Sequence, residues 1–324
     1  MISVDLPILD LGPYLAGEVG AREALASELA FVQQNIGFYV IINHGVPAEL
    51  IAAAYKELER FFALSEEQKL ALKIDQTSLG YVPPLSTIYV TSVINENSKK
   101  DQNETLITAL ERSADHPLVK AGTRFTGPNK WPANLPGFRE TIIDYQQQML
   151  RLGRAMLPLY ALALDLKSDY FDALFTDPVM WSRNSHYPPV THDDNQFGIS
   201  PHSDHSFITL LPIPGVAGLE ILTQDKTWLP VPPVEGGIVI NTGEFMNRWT
   251  NGHFIATPHR VTQPPNDRYS IATFFNPNYD TVAEIFESCI GPDNPPKYEP
   301  IKLIDYLKWY IDTNYKSDAG GAQA

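Results

Sequence analysis

Pro201-His202-Ser203-Asp204-His205 is the stretch from which the fold of this chain is read, and two later segments give it meaning. His259 follows Asp204 by 55 residues, and Arg268-Tyr269-Ser270 begins nine residues after His259. Two imidazoles and one carboxylate form the facial triad of a non-haem Fe(II) centre, which leaves coordination positions open for a cosubstrate and O2. Side chains two apart share a face on an extended strand but not on a helix, so the spacing predicts that His202 and Asp204 lie on a strand. The third ligand then comes from a distant strand folded alongside, and the apolar segment from Gly252 to Val261 supplies His259.

Arg268-Tyr269-Ser270-Ile271-Ala272-Thr273-Phe274-Phe275 alternates as a half-buried strand does, which puts Arg268 and Ser270 on one face. A guanidinium offers a planar fork of donors to a carboxylate, and a hydroxyl beside it adds another. One reading is a clamp on the far carboxylate of a 2-oxo acid whose other end chelates the iron, fixing it by proximity and orientation. The other is an Arg268 paired with a structural acid such as Asp280, and a Ser270 facing solvent.

From Trp181 to Asp280 the chain resembles the catalytic domain of the isopenicillin N synthase-like family of 2-oxoglutarate- and Fe(II)-dependent dioxygenases. The likeness rests on ordered segments: Tyr187-Pro188-Pro189, Pro201-His202-Ser203-Asp204, Ile208-Thr209-Leu210-Leu211, Gly218-Leu219-Glu220, Trp228-Leu229-Pro230-Val231, Val239-Ile240-Asn241-Thr242-Gly243-Glu244, Trp249-Thr250-Asn251-Gly252, His259-Arg260-Val261 and Arg268-Tyr269-Ser270. Upstream, Leu6 to Leu11, Gly37 to Val46 and Phe61 to Leu64 resemble the family's N-terminal region. The resemblance implies iron held by His202, Asp204 and His259, and the distal carboxylate of 2-oxoglutarate held by Arg268 and Ser270, with Tyr187 as a further cosubstrate contact. It implies no catalytic side chain beyond the metal centre. Two departures stand out. Ser185 occupies the place, two before Tyr187, where the family commonly has Asn, and His205-Ser206-Phe207 replaces an aromatic-Gly pair. On a strand, His205 points away from the ligand face, which makes it a poor fourth ligand and suits it to packing or to steadying the loop.

The 324 residues, 44% hydrophobic and 19% charged, suffice for a large core. Twenty-four Lys and Arg stand against 38 Asp and Glu, and the net charge of −14 repels nucleic-acid phosphates and anionic membranes, so neither is expected as a partner. The single cysteine, Cys289, excludes an internal disulfide and a thiolate-held cluster and suits a reducing, cytoplasmic location. Met1 to Leu6 lacks a basic segment leading into an apolar run, and no 18-residue apolar stretch occurs. The oligomeric state is left open.

Along the chain, Leu6 to Leu11 reads as a strand, Arg22 to Asn35 as a helix and Phe38 to Ile42 as an apolar strand. Leu50 to Phe62 has helical spacing, and Ser65-Glu66-Glu67-Gln68 is a capping box. His44 reads as a turn residue bonded to backbone. Residues 78–129, with Pro83-Pro84 and the polar run Asn95 to Asp101, read as irregular, either a lid or an ordinary surface connection. Helices are expected over Gly137 to Leu166 and Ile301 to Tyr315, and Ser317 to Ala324 as a disordered tail.

The expected fold is α+β with a mainly β catalytic core, a double-stranded β-helix or jelly roll with an N-terminal helical region and flanking helices. The expected divisions are 1–130 as the N-terminal region, 131–176 as a linking helix, 177–285 as the jelly roll, and 286–324 as C-terminal helix and tail. The expected activity is oxidation, by default hydroxylation, of a small molecule using Fe(II), 2-oxoglutarate and O2, with release of succinate and CO2. An Fe(II) oxidase that does not use 2-oxoglutarate and a non-catalytic iron or 2-oxo-acid sensor are the alternatives.

Overall fold

The computed structural model describes residues 6–317 except 90–93, 95–96, 191–192, 214, 216 and 263. The readings of residues 1–5, of part of the polar run from Asn95, and of the tail beyond Ser317 lie outside the described residues.

Strand β1 (Ile8–Asp10) leads through helices α1 (Gly12–Leu15) and α2 (Ala21–Asn35) to β2 (Phe38–Ile42), followed by α3 (Ala48–Phe62) and α4 (Glu66–Leu70). The start of α4 is set by its sequence: Gln68 N donates to Ser65 Oγ while Ser65 N donates to Gln68 Oε1. Next come β3 (Gly80–Val82), β4 (Thr87–Tyr89), β5 (Glu104–Ala109), α5 (Pro117–Lys120) and the 26-residue α6 (Phe138–Ala163). The catalytic half follows with β6 (Val179–Tyr187), β7 (Ile199–His202), β8 (Ile208–Pro212), β9 (Leu219–Leu222), β10 (Trp228–Pro230) and β11 (Ile238–Thr242). It continues with α7 (Glu244–Trp249), β12 (His259–Val261), β13 (Arg268–Asn276), β14 (Val282–Ala283), β15 (Ile301–Lys302), α8 (Leu303–Asn314) and β16 (Tyr315–Ser317).

Eight strands form a major sheet in the order β1-β2-β11-β8-β13-β6-β5-β3, and four form a minor sheet in the order β10-β9-β12-β7. This is the expected jelly roll on an α+β frame. The period-two alternation of its strands explains the layers, because both faces of the major sheet are covered. On β2, Tyr39 and Ile41 join a core shared with α2, α3 and α6, whereas Phe38 and Val40 join a second core with Leu219 and Ile221 of the minor sheet. On β11, Ile238 and Ile240 face the helices and Val239 the interior. The buried stripe of α6, including Ile142, Tyr145, Met149, Leu152 and Met156, is the inward face expected from its spacing.

One expectation changes. Residues 78–129 are not merely a surface connection: β5 lies beside β6 in the major sheet and β3 forms its edge. The reason is tertiary, since Glu104 begins β5 and its carboxylate is matched by Lys69, Tyr81 and His186 from other elements. His44 behaves as expected, its Nδ1 accepting from Val46 N at 3.1 Å and its Nε2 bonded to the Gly236 carbonyl at 3.0 Å.

The turn from β11 into α7 presses on the loop after β7. Gly243 N donates to Phe207 O at 3.3 Å and Glu244 N to Asp204 O at 2.6 Å, and a Cβ on Gly243 would collide with the backbone of Ser206. Backbone cannot yield as a side-chain tip can. Gly243→Ala is therefore expected to destabilise the fold by about 3 kcal/mol and lower Tm by roughly 5 °C or more. An unchanged Tm by calorimetry would show that this approach is not tight.

Candidate metal centre and cosubstrate pocket

His202 ends β7 and His259 begins β12, and the antiparallel register makes them direct partners, with ring centroids 4.3 Å apart. Asp204 departs from the strand expectation: β7 stops at His202, and Asp204 lies in the loop that follows. The bond from Glu244 N to its carbonyl holds that loop, and the loop brings the carboxylate back to the imidazoles. His202 Nε2 and His259 Nε2 each stand 3.6 Å from Asp204 Oδ1, too far for hydrogen bonds, and one ligand atom from each residue lies within 4.8 Å of the others. All three side chains are buried, and among the described residues this is the group of His, Cys, Asp or Glu placed to hold a metal.

The surrounding bonds set the state of each donor. His202 Nδ1–H donates to Ser200 O at 2.8 Å and His259 Nδ1–H to Thr257 O at 3.2 Å, the tautomer that leaves each Nε2 lone pair free. Burial, reinforced by His202, pushes the His259 pKa down to about 4, so its ring is neutral. Asp204 Oδ2 accepts from Thr209 Oγ1 at 2.6 Å and Asn241 Nδ2 at 2.7 Å. Burial opposes its charge, but His259, His202 and Thr209 outweigh that and hold the carboxyl well below the usual range. Neutral imidazoles and an ionised carboxylate are the forms that bind a metal, and a two-His, one-carboxylate set suits Fe(II). The residues fit the ion.

Thr209 and Asn241 gave no separate signal as site residues in the sequence reading. Each is a polar residue at an inward position of a mostly apolar strand, Thr209 between Ile208 and Leu210, Asn241 between Ile240 and Thr242, and that pattern is where they were legible. Tyr89 of β4, stacked on His202 at 4.7 Å, carried no such mark.

The clamp residues share a strand pair. In the β13–β6 register Arg268 faces Tyr187 and Ser270 faces Ser185, and alternation turns all four inward to line the chamber that also holds His202, Asp204 and His259. The Arg268 guanidinium lies 4.8 Å from the Tyr187 ring centre. Arg268 is 4% exposed, yet its Nε and Nη1 have no hydrogen-bond partner among the described residues. Asp280, four residues past the end of β13 at Asn276, is exposed, and the structural pairing considered for Arg268 does not form. Buried cationic donors left unsatisfied are costly, and a carboxylate ligand removes the cost. Ser185 Oγ is 3.1 Å from Thr105 Oγ1, whereas its neighbour Asn184 turns to the other face and donates to Leu106 O at 2.8 Å.

His205 lies outside the metal group, but not by strand alternation, since β7 ends at His202 and His205 sits in the loop that follows. It does not steady the loop, since both its ring nitrogens are buried without a partner among the described residues; it lines a second, largely apolar cavity. That cavity is closed on one side by α8, through Tyr310, whose hydroxyl donates to Ser203 O at 2.8 Å, and Ile311.

Comparison with known proteins places these features in a family. Residues 178–277 match the model of the 2OG-Fe(II) oxygenase superfamily, and residues 6–134 match the model described as non-haem dioxygenase in morphine synthesis N-terminal. Kihadalactone A synthase of Citrus sinensis is 36% identical over 282 residues, covering 84% of this chain and 82% of that protein. A 2-oxoglutarate-Fe(II) type oxidoreductase of Emericella nidulans is 33% identical over 328 residues, covering 98% and 91%. Among solved structures, a full-length Neurospora crassa protein in complex with alpha-KG and thymine superposes with a TM-score of 0.83 at 25% identity, over 96% of this chain and 98% of that one. The chain belongs to the 2OG-Fe(II) oxygenase superfamily. It is an Fe(II)- and 2-oxoglutarate-dependent dioxygenase, and its cofactor, cosubstrate and oxidant are Fe(II), 2-oxoglutarate and O2. Among the described residues no helix is long and apolar enough to cross a membrane.

Behind the clamp lies an ionic network. His186 bonds Glu104 Oε1 through Nδ1 at 2.8 Å and Asp267 Oδ1 through Nε2 at 2.7 Å, while Lys69 Nζ reaches Glu104 Oε2 at 2.7 Å. His186 precedes Tyr187, and Asp267 precedes Arg268, so this bridge ties together the two strand ends that carry the clamp. Burial lowers the His186 pKa, but Glu104 and Asp267 outweigh it and raise the pKa above the ordinary imidazole value. A raised folded-state pKa contributes stability that is complete below the unfolded value, about 6.5, and is lost as pH rises through the folded value. Stability in urea is therefore expected to fall as pH rises above about 6.5, and to fall less in His186→Gln. Equal slopes in the two proteins would remove His186 as the source.

Proposed function

We propose that His202, Asp204 and His259 bind the Fe(II), that Arg268 and Ser270, with Tyr187, hold the distal carboxylate of 2-oxoglutarate, and that the enzyme hydroxylates a small molecule. The observation that carries the reading is Arg268: a buried guanidinium with two unsatisfied nitrogens, in the same chamber as three converging metal-binding atoms. Bound there, Fe(II) and 2-oxoglutarate supply the activation of O2 that oxidises a substrate C–H bond. One oxygen atom enters the substrate as a hydroxyl and the other enters succinate, with CO2 released from the cosubstrate.

The chain's own groups position and shield. Ser200 and Thr257 carbonyls fix the tautomers of the two imidazoles, and Thr209 and Asn241 keep Asp204 Oδ1 directed toward them. Arg268 and Ser270 set the cosubstrate's orientation from its far end. Phe38, Leu211, Leu219 and Val261 keep the chamber apolar between these polar ends, which limits water at the reacting site.

A small-molecule substrate is supported by the ligands in related structures: the Neurospora crassa protein is in complex with alpha-KG and thymine, and JOX2, with a TM-score of 0.78, is in complex with 2OG, Fe and JA. The net charge of −14 argues against a nucleic-acid substrate. We also propose the division at 1–130, 131–176, 177–285 and 286–324 as the functional one, and a reducing, cytoplasmic setting for a chain whose one cysteine, Cys289, is buried.

Replacing His202, Asp204 or His259 by Ala is expected to abolish stoichiometric Fe(II) binding in anaerobic titration while circular dichroism stays near that of the parent. Full binding and turnover in any one variant would remove that residue from the set. Arg268→Lys keeps the charge and loses the fork, so the apparent affinity for 2-oxoglutarate should fall about tenfold or more with Fe(II) binding unchanged. If the defect instead tracked the primary substrate, and turnover proceeded without 2-oxoglutarate, the clamp would be serving another ligand.

A further inference from the structure

The cavity beside the metal chamber has no assigned occupant. Its walls are mostly apolar and aromatic: Phe125 stacks on Trp181 at 4.2 Å, Trp181 stacks on His205 at 5.1 Å, and Phe274 and Tyr310 close around His205 at 4.8 and 5.2 Å. It adjoins the chamber of the candidate triad, because Tyr89, Arg183 and Phe274 line both spaces. A molecule in this cavity therefore borders the place where oxidation occurs.

Ser78, Thr87, Thr105 and Arg183 also line the cavity, and two of its aromatic-wall residues carry nitrogens without a partner among the described residues. His205 Nδ1, His205 Nε2 and Trp181 Nε1 are all buried with no hydrogen-bond partner among the described residues, and His205 is only 4% exposed. Leaving such groups unsatisfied is costly, so a residue serving only to pack would be better as a hydrocarbon ring. Trp181 Nε1 can only donate, and an imidazole has at least one N–H. The missing partner is thus an acceptor.

We propose that the primary substrate is a compact, largely apolar ring compound bearing a hydrogen-bond acceptor, a carbonyl oxygen or ring nitrogen, and that His205, with Trp181, selects it by that atom. The aromatic walls take the ring, and His205, next in sequence to Asp204, anchors the acceptor close to the metal chamber. The inference rests on the dioxygenase site described above and names what that site oxidises.

Anaerobic calorimetry on the enzyme loaded with Fe(II) and 2-oxoglutarate tests it with two matched pairs of probes: quinolin-2-one against naphthalene, and 2-pyridone against benzene. The carbonyl member is expected to bind about tenfold more tightly in at least one pair. His205→Phe, which keeps a ring and removes both nitrogens, should erase most of that preference, and His205→Gln, which restores a donor and an acceptor, should recover part of it. One iron per chain and an unchanged circular dichroism spectrum check that His205→Phe folds. Trp181→Phe, which removes a single N–H, gives a second and gentler test and should reduce the preference as well. No preference in either pair, absence of binding included, overturns the inference, as does a preference that survives both His205→Phe and Trp181→Phe. Failure to take up Fe(II) or 2-oxoglutarate would instead count against the site assignment, so the two failures are distinguishable.

Discussion

A carboxylate held ionised inside the protein, with one oxygen turned toward two imidazoles, is the constraint on which the rest of this structure depends. Burying that charge is costly unless it is matched by donors and positive partners. Here Thr209 and Asn241 take one oxygen, and the other remains toward His202 and His259. These residues come from β7, β8, β11, β12 and the loop after β7, spread over both sheets. The two sheets must close face to face for the donors to meet, and the tight passage of Gly243 against Ser206 fixes the loop that carries Asp204.

The major sheet meets this demand because its two faces have different tasks. Its outer face, packed on α2, α3 and α6, is largely hydrocarbon, with hydrogen-bonded polar residues such as Asn184, Thr108 and, from α6, Gln146 buried among it. Its inner face is hydrocarbon at β2 and polar on β6 and β13, where Arg183, Ser185, Tyr187, Arg268 and Ser270 project inward. A slip of one residue in the β13–β6 register would turn Arg268 and Ser270 outward and bring Tyr269 and Ile271 in. The His186 bridge between Glu104 and Asp267 lies at the end of that pair, where such a slip would begin.

The C-terminal segment closes the other side. α8 sets Tyr310 and Ile311 against the apolar cavity, and β16 pairs with β4, whose Tyr89 covers His202. One end of the chain and an excursion between α4 and α6 thus share the wall of the space next to the metal chamber.

The sequence alone determined the local matters. The spacing of His202, Asp204, His259, Arg268 and Ser270 was enough to name the triad and clamp candidates, because strand alternation and ligand chemistry are both written in residue order. Apolar periodicity likewise marked β2, α3, α6 and α8, and the Ser65 capping box marked the start of α4. Tertiary structure decided whatever needed a partner from far along the chain. Asp204 reaches the imidazoles from a loop, not a strand, because Glu244 and Gly243 of another element hold that loop. β5 became an inner strand because Lys69, Tyr81 and His186 satisfy Glu104. Arg268 was freed from structural pairing because Asp280 lies beyond the far end of the strand that buries it. His205 turned from a loop neighbour of a ligand into the wall of a cavity because Trp181, Phe274 and Tyr310, distant in sequence, close around its ring.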